Sequence, residues 1–370
     1  MSAPLPHAAE PLRYQPAYES LEDDEAETTR ALKETLHEIS ETVHRDEGHA
    51  YRSVHAKSHG LLLAELRVLD GLPERLAQGL FAKAGTYPVA MRFSTTPGDL
   101  LDDAVSTPRG VALKVVGVEG DRVSGSEGDV TQDFILVNGP VFSAPTAKAF
   151  LGPLKLLAAT TDKAPGLKKA LSAALRGLET LVEKAGGEVA TFKTMGGHPA
   201  THILGETFYT QVPLRHGPYM AKLSLAPVSA ELVALTGNLL DLGDGPDVIR
   251  EAVLQHFAHN GGEWELRVQL CTDIEAMPIE NASVPWPEEA SPFVTVARLR
   301  VPAQPSWDEA RSRAVDLGMS FSPWHGLAAH RPLGSINRAR KPAYEMSAGF
   351  RASHSGCPMQ EPRAAAEIPI

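Results

Sequence analysis

Four short apolar runs crowd residues 61–138: 61–69 (LLLAELRVL), 87–94 (YPVAMRFS), 110–118 (GVALKVVGV) and 132–138 (QDFILVN). Gly, Pro and Asp punctuate them, and runs of this length between turn residues read as strands. Four more follow near 206–213, 219–225, 264–272 and 294–301. Eight strands can close into a barrel that either fills with side chains or holds a small ligand. This strand count constrains the fold most. Glycine (31) and proline (29) are abundant enough to supply the turns it needs. Helices decorate it. Leu32, Leu36, Ile39 and Val43 recur at spacings of four, three and four, which predicts an amphipathic helix over 24–45 that packs on the core or on a partner subunit. Ala, Leu and Lys favour helix over 145–187, with Pro153 and Pro165 as breaks. Residues 246–260 read as a further helix, and 305–350 alternates helix-like and loop-like pieces. The expected class is α+β, a closed antiparallel eight-stranded β-barrel with helical decoration. The expected division is an N-terminal arm and helix over 1–49, loose up to residue 19, one barrel domain over 50–351, and a mobile tail over 352–370.

Charge and cysteine content exclude several functions. With 35 basic against 46 acidic residues the net charge is −11, which disfavours binding to nucleic acid or to an anionic membrane as the main task. No apolar stretch is long enough to span a membrane, and no secretory signal is visible at the N-terminus, so a cytoplasmic location is expected. The two cysteines, Cys271 and Cys357, are too few for a disulfide scaffold or an all-cysteine zinc site. The glycine-rich stretch 117–128 follows a strand without opening a helix, so it reads as a hairpin loop and not a phosphate cradle. The fourteen histidines show no His-Glu-x-x-His pattern.

Against that background several segments stand together. Arg52-Ser53-Val54-His55-Ala56-Lys57 precedes the first strand. Arg92-Phe93-Ser94-Thr95 ends the second, and Pro108-Arg109-Gly110 opens the third. Late in the chain, Tyr344 follows Arg340 by four residues and precedes Arg351 by seven. Singly, each has an ordinary reading: a histidine beside a strand is usually structural, and arginines are usually solvated. Together, and in this order, they resemble the haem catalases. RSVHAK is similar to that family's distal-histidine motif, and RFST and TPRGVALK resemble its next two strands. TQDFILVNGPVF resembles the segment carrying the distal asparagine and a proline-led aromatic pair that includes Phe142. Phe150 falls where the family has a phenylalanine over the haem face. Arg340-x-x-x-Tyr344-x-x-x-x-x-x-Arg351 has the spacing of the proximal motif; tyrosine is the axial ligand of catalase haem.

The resemblance implies a catalase-like barrel with a haem pocket binding heme b. Arg52, Arg92 and Arg351 would hold its propionates, since guanidinium forks pair with carboxylates. Tyr344 would ligate iron as phenolate, aided by Arg340 one helical turn away. His55 would move a proton between the peroxide oxygens, Ser94 would orient it, and Val54 would narrow the channel. Asn138 would bind peroxide; an ungapped count back from Pro140 places Val137 there instead, and a one-residue deletion restores Asn138. The implied activity is decomposition or reduction of hydrogen peroxide through an iron-oxo haem, as a catalase or a catalase-related peroxidase of the smaller branch. An organic hydroperoxide or a small organic electron donor are further possible partners. Two alternatives stay open. One is fatty-acid hydroperoxide conversion of the allene oxide synthase type, whose Thr before the distal His is Val54 here. The other is non-enzymatic haem binding, with Cys357-Pro358 as a sensing dipeptide. The helix over 24–45 and the arm before it suit a homodimer or larger assembly.

Overall fold

The computed structural model describes residues 10–105, 107–160, 199–356 and 359–370. Eight strands close a barrel: β1 (Lys57–Val68), β2 (Gly85–Thr95), β3 (Arg109–Val116), β4 (Thr131–Val137), β5 (Phe208–Tyr209), β7 (Tyr219–Pro227), β8 (Gly262–Leu270) and β9 (Val294–Val301). They pair in that order, every pairing is antiparallel, and β9 returns to β1. A ninth strand, β6 (Leu214–His216), forms a hairpin with β7 beyond the short β5. The run 206–213 therefore holds a strand of only two residues, and β6 escapes the pattern because LRH carries one apolar residue.

Alternation along the strands explains why the lumen is filled. Leu62, Leu66, Met91, Phe93, Leu113, Phe134, Leu223, Trp264, Leu266 and Leu299 all point into one buried cluster. Phe93 packs 5.8 Å from Phe208 and 6.2 Å from Trp264, ring centre to ring centre. The interior is a core and not a ligand cavity. Arg92, Ser94, Gly110, Ala112, Lys114, Asp133, Ile135 and Val137 alternate with the inward residues and stand on the outer face.

Four main helices cover this face and the barrel's end: α1 (Glu25–Glu47), α2 (Ala147–Thr160), α3 (Val248–Phe257) and α4 (Gly334–Ser355). Leu32, Ile39 and Val43 of α1 bury with Leu154 of α2 and Ile336 and Ala339 of α4. The apolar stripe of α1 thus finds its partner within its own chain. Most of the helical stretch expected over 145–187, and the Cys357-Pro358 pair, lie outside the described residues. The 117–128 stretch joins β3 to β4, as a hairpin loop should.

Both ends are more firmly held than their composition suggests. Residues 10–19 are not a loose arm. The Leu12 and Tyr14 amides donate to Cys271 and Pro218 carbonyls, and Glu19 accepts from Arg331 at 2.6 Å. Residues 359–370 are not a mobile tail. Glu361 pairs with Lys114 at 2.6 Å, and Ile368 is buried against Leu61, Val116 and Phe321. Propensity misses this docking because it depends on charges placed by the barrel.

Three buried histidines set a pH dependence. Burial pushes His216 and His202 down to about 4, the latter aided by His256 and Arg109. Burial and neighbouring His216 push His330 down to about 3. The unfolded chain takes up these protons near pH 6.5 while the folded chain refuses them, so stability falls as pH drops through that range. Chemical denaturation from pH 7 to pH 4.5 is expected to show a steadily falling midpoint. A flat midpoint would contradict the neutral, buried state of these rings.

Candidate active site on the outer face of the barrel

The sequence-picked arginines converge. Arg92 extends from β2 and Arg52 from the loop before β1, and both reach Asp316: Arg92 Nε at 2.7 Å and Arg52 Nη1 at 3.0 Å from Oδ1. Asp316 lies in a π-turn, Arg313–Leu317, a distortion frequent at functional sites. Ser58 and Ser312 hydroxyls donate to its other oxygen at 2.7 and 2.8 Å. Burial alone would raise the Asp316 carboxyl, but Arg92 and Arg52 outweigh it and hold it below its usual range. Arg351 is also buried, donating from Nη1 to the Ser347 hydroxyl at 3.1 Å, while its Nε has no partner. Burial and then Arg92 lower Arg351 to about 10, against the pull of Asp316. Arg52 is lowered too, by burial first and by Arg92 and Arg351 next.

Arg340, Tyr344 and Arg351 share one stripe of α4, because steps of four and eleven residues return close to the same helical angle. Arg340 Nη2 donates to the Tyr344 hydroxyl at 3.0 Å and Nη1 to Asn337 Oδ1 at 3.1 Å, which fixes the guanidinium beside the phenol. Arg52 Nη2 and Arg351 Nη2 both donate to the Met319 carbonyl, at 2.8 and 3.4 Å, so the helix stripe faces the arginine pair.

His55 sits in the left-handed backbone region at φ 54°, uncommon for a residue with a Cβ. Its carbonyl accepts from Arg92 Nη2 at 2.9 Å, which pins that conformation. Nδ1 lies 3.2 Å from Ser94 Oγ. The ring rides directly over Gly110: a Cβ there would meet His55 Cε1 at 2.7 Å and Nδ1 at 2.9 Å, so a side chain at 110 would expel the imidazole. Burial, then Arg92, Arg340 and Arg52, push His55 down to about 3. It is therefore neutral near pH 7, and in the tautomer whose Nδ1–H donates to Ser94 the basic nitrogen is Nε2.

The strand register bears on the choice between Val137 and Asn138. Ser94 pairs with Gly110, and Gly110 with Val137, across adjacent strands. Directly opposed residues project to the same face, so Val137 stands in the His55 row. Asn138 has its amide committed elsewhere. Its Oδ1 accepts from the Arg109 amide at 2.9 Å and its Nδ2 donates to Glu206 Oε2 at 2.8 Å. Of the two alternatives read from the sequence, the ungapped one names the residue that opposes Gly110. Phe142 and Phe150 pack edge-on, 4.9 Å apart, within the α1–α2–α4 cluster, and Val54 is half-buried beside His55. Asp316 is the site member the sequence reading missed. It is a lone acidic residue in an irregular stretch, 264 positions from Arg52, and nothing local marks it.

Comparison with solved structures identifies the class of fold. A fungal catalase superposes with a TM-score of 0.61 at 20% identity, over 88% of this chain and 62% of that one. Catalase A from Saccharomyces cerevisiae gives 0.58 at 18%, over 83% and 62%. A bacterial catalase gives 0.56 at 16%, over 97% and 68%. The chain has the catalase fold, and it spans less than two thirds of the length of the first two. By sequence, no family model and no curated protein matches it.

The residues fit a haem. Among the described residues, Arg52 and Arg92 share the Asp316 carboxylate and Arg351 is only attracted by it at longer range, which leaves two positive charges in excess. Two propionates would neutralise them, and the partnerless Arg351 Nε is a donor ready for one. The Tyr344 phenol and the His55 imidazole belong to the same constellation.

Proposed function

We propose that this protein is a haem-dependent, peroxide-consuming enzyme of catalase or peroxidase type. The observation that carries the reading is the excess positive charge of the buried arginine cluster, gathered beside a neutral histidine and an arginine-bonded tyrosine. Arg52, Arg92 and Arg351 would hold the propionates. Tyr344 would ligate the iron as phenolate, with Arg340 donating to its oxygen at the observed 3.0 Å and so favouring the anion. Haem, when bound, supplies ferric iron as a site for the peroxide and the two electrons that break its O–O bond.

His55 handles the proton. Its Nε2, basic because Nδ1–H is given to Ser94, accepts the proton from the bound peroxide oxygen. It then returns that proton to the oxygen that departs as water or alcohol. The lowered basicity of His55 makes the return step easy, because burial disfavours the imidazolium. Ser94 holds the ring in its tautomer, and Gly110 leaves the space it occupies. The smaller, catalase-related branch, with an organic donor restoring the enzyme, suits the resemblance read from the sequence; a cytoplasmic homo-oligomer is its expected form.

Haem titration tests the reading. The protein is expected to bind one haem per chain with a high-spin ferric spectrum, and Tyr344→Phe should abolish that spectrum while the circular dichroism is retained. An unchanged spectrum in the variant means that another residue holds the iron. Oxygen release from hydrogen peroxide, set against oxidation of a dye donor, then separates catalase from peroxidase action.

A further inference from the structure

The row of side chains that carries His55 has two members with no part in the chemistry above, Val137 and Tyr209, and the Tyr209 ring packs on Phe293 with 5.8 Å between centres. The row runs Ser94, Gly110, Val137, Tyr209 across β2, β3, β4 and β5. The imidazole lies along it: Nδ1 faces Ser94 on β2 and Cε1 sits over Gly110 on β3. With Nδ1 toward Ser94 on β2, the edge of the ring that carries Nε2 faces away from β2. The β4 residue there is Val137. The adjacent row pairs Ala112 with Ile135, so Ala112, Ile135 and Val137 form an apolar patch, each of them half-buried. Asn138 accepts the Arg109 amide on Oδ1 and gives one Nδ2 hydrogen to Glu206, which holds its side chain toward those two residues.

We propose that Val137 is a specificity-determining residue. It walls the Nε2 side of His55 with an apolar surface, and the site selects hydroperoxides bearing an apolar substituent over hydrogen peroxide. This rests on the haem-dependent reading above. A hydrogen peroxide molecule bound beside Val137 has one oxygen that finds no protein donor there and loses its water. An alkyl hydroperoxide places carbon against the valine and loses nothing polar. Discrimination of this kind is set by whether a buried polar group is left unpaired.

The experiment uses the full chain loaded with haem, in wild type, Val137→Asn and Asn138→Ala. Rate constants are measured with cumene hydroperoxide and with hydrogen peroxide, cyanide affinity by the Soret shift, and melting temperature on the haem-free protein. The wild type should favour cumene hydroperoxide. Val137→Asn should move the ratio toward hydrogen peroxide by about tenfold and tighten cyanide, with little change in melting. Asn138→Ala should leave the ratio in place and lower the melting temperature, because Glu206 loses a donor. A ratio moved by Asn138→Ala and not by Val137→Asn overturns the proposal and returns the distal role to Asn138. A normal Soret band with an unmoved ratio in both variants overturns this inference alone. No Soret band in a protein that melts normally overturns the haem reading, and this inference with it.

Discussion

His55→Ala is expected to lower the rate of the haem-loaded protein with peroxide by about 10²- to 10⁴-fold, the span of a positioned acid–base group. Haem uptake should not change, because His55 holds neither the propionates nor the iron. The wild-type rate should also be nearly flat between pH 8 and pH 5. The direction follows from burial, the first cause that presses His55 down to about 3: haem would cover the ring further while its propionates offset the guanidiniums, so the basic form persists well below 6.5. An unshifted imidazole would instead lose its basic form near 6.5. Stopped-flow kinetics across this range provide the check. A variant rate within threefold of wild type, or a limb centred near 6.5, would remove His55 from the role. Ser94→Ala should act in the same direction but more weakly, since it loosens the ring without removing it.

The second large effect concerns folding. Lys114 is fully buried on the outer face, with its ammonium 2.8 and 2.9 Å from the two Asp133 oxygens and 2.6 Å from Glu361. Asp133 also accepts the Ser322 amide at 2.9 Å. Lys114→Met would strand the buried Asp133 carboxylate and cut the anchor of residues 359–370. Removing one partner of a buried pair costs about 3–5 kcal/mol, because the other charge remains. Urea unfolding of the haem-free protein should show a loss of this size, and adding Asp133→Asn should recover part of it. A loss under 1 kcal/mol, or no recovery, would mean that the pair is not the anchor. The same latch lies close to the arginines, since Arg351 Nη2 reaches toward the Met319 carbonyl and the Met359 sulfur. A shortened chain ending before Met359 should therefore melt lower.

How much of this was legible beforehand differs by element. β9 was read without error as 294–301, and α1 nearly so, because strand and helix periodicity are local properties of the chain. The Arg340–Tyr344 contact was legible too: four residues along a helix is one turn, whatever surrounds it. β6 was not, since three residues with one apolar side chain carry no period.

The sequence alone determined which side chains could act, and their order: a histidine before the first strand, arginines at 52, 92 and 351, and a tyrosine with its arginine. Their resemblance to a family motif also named the barrel. Tertiary structure decided everything that depends on register or on distant pairing. The choice of Val137 over Asn138 rests on which residue opposes Gly110, and a one-residue slip would reverse it. Asp316 joins Arg52 and Arg92 only because the π-turn is folded back against β1 and β2. Glu361 becomes an anchor only because Lys114 is buried where it must be paired. Side-chain identity is written residue by residue, whereas the face of a sheet and the partner of a buried charge are set by segments hundreds of residues apart.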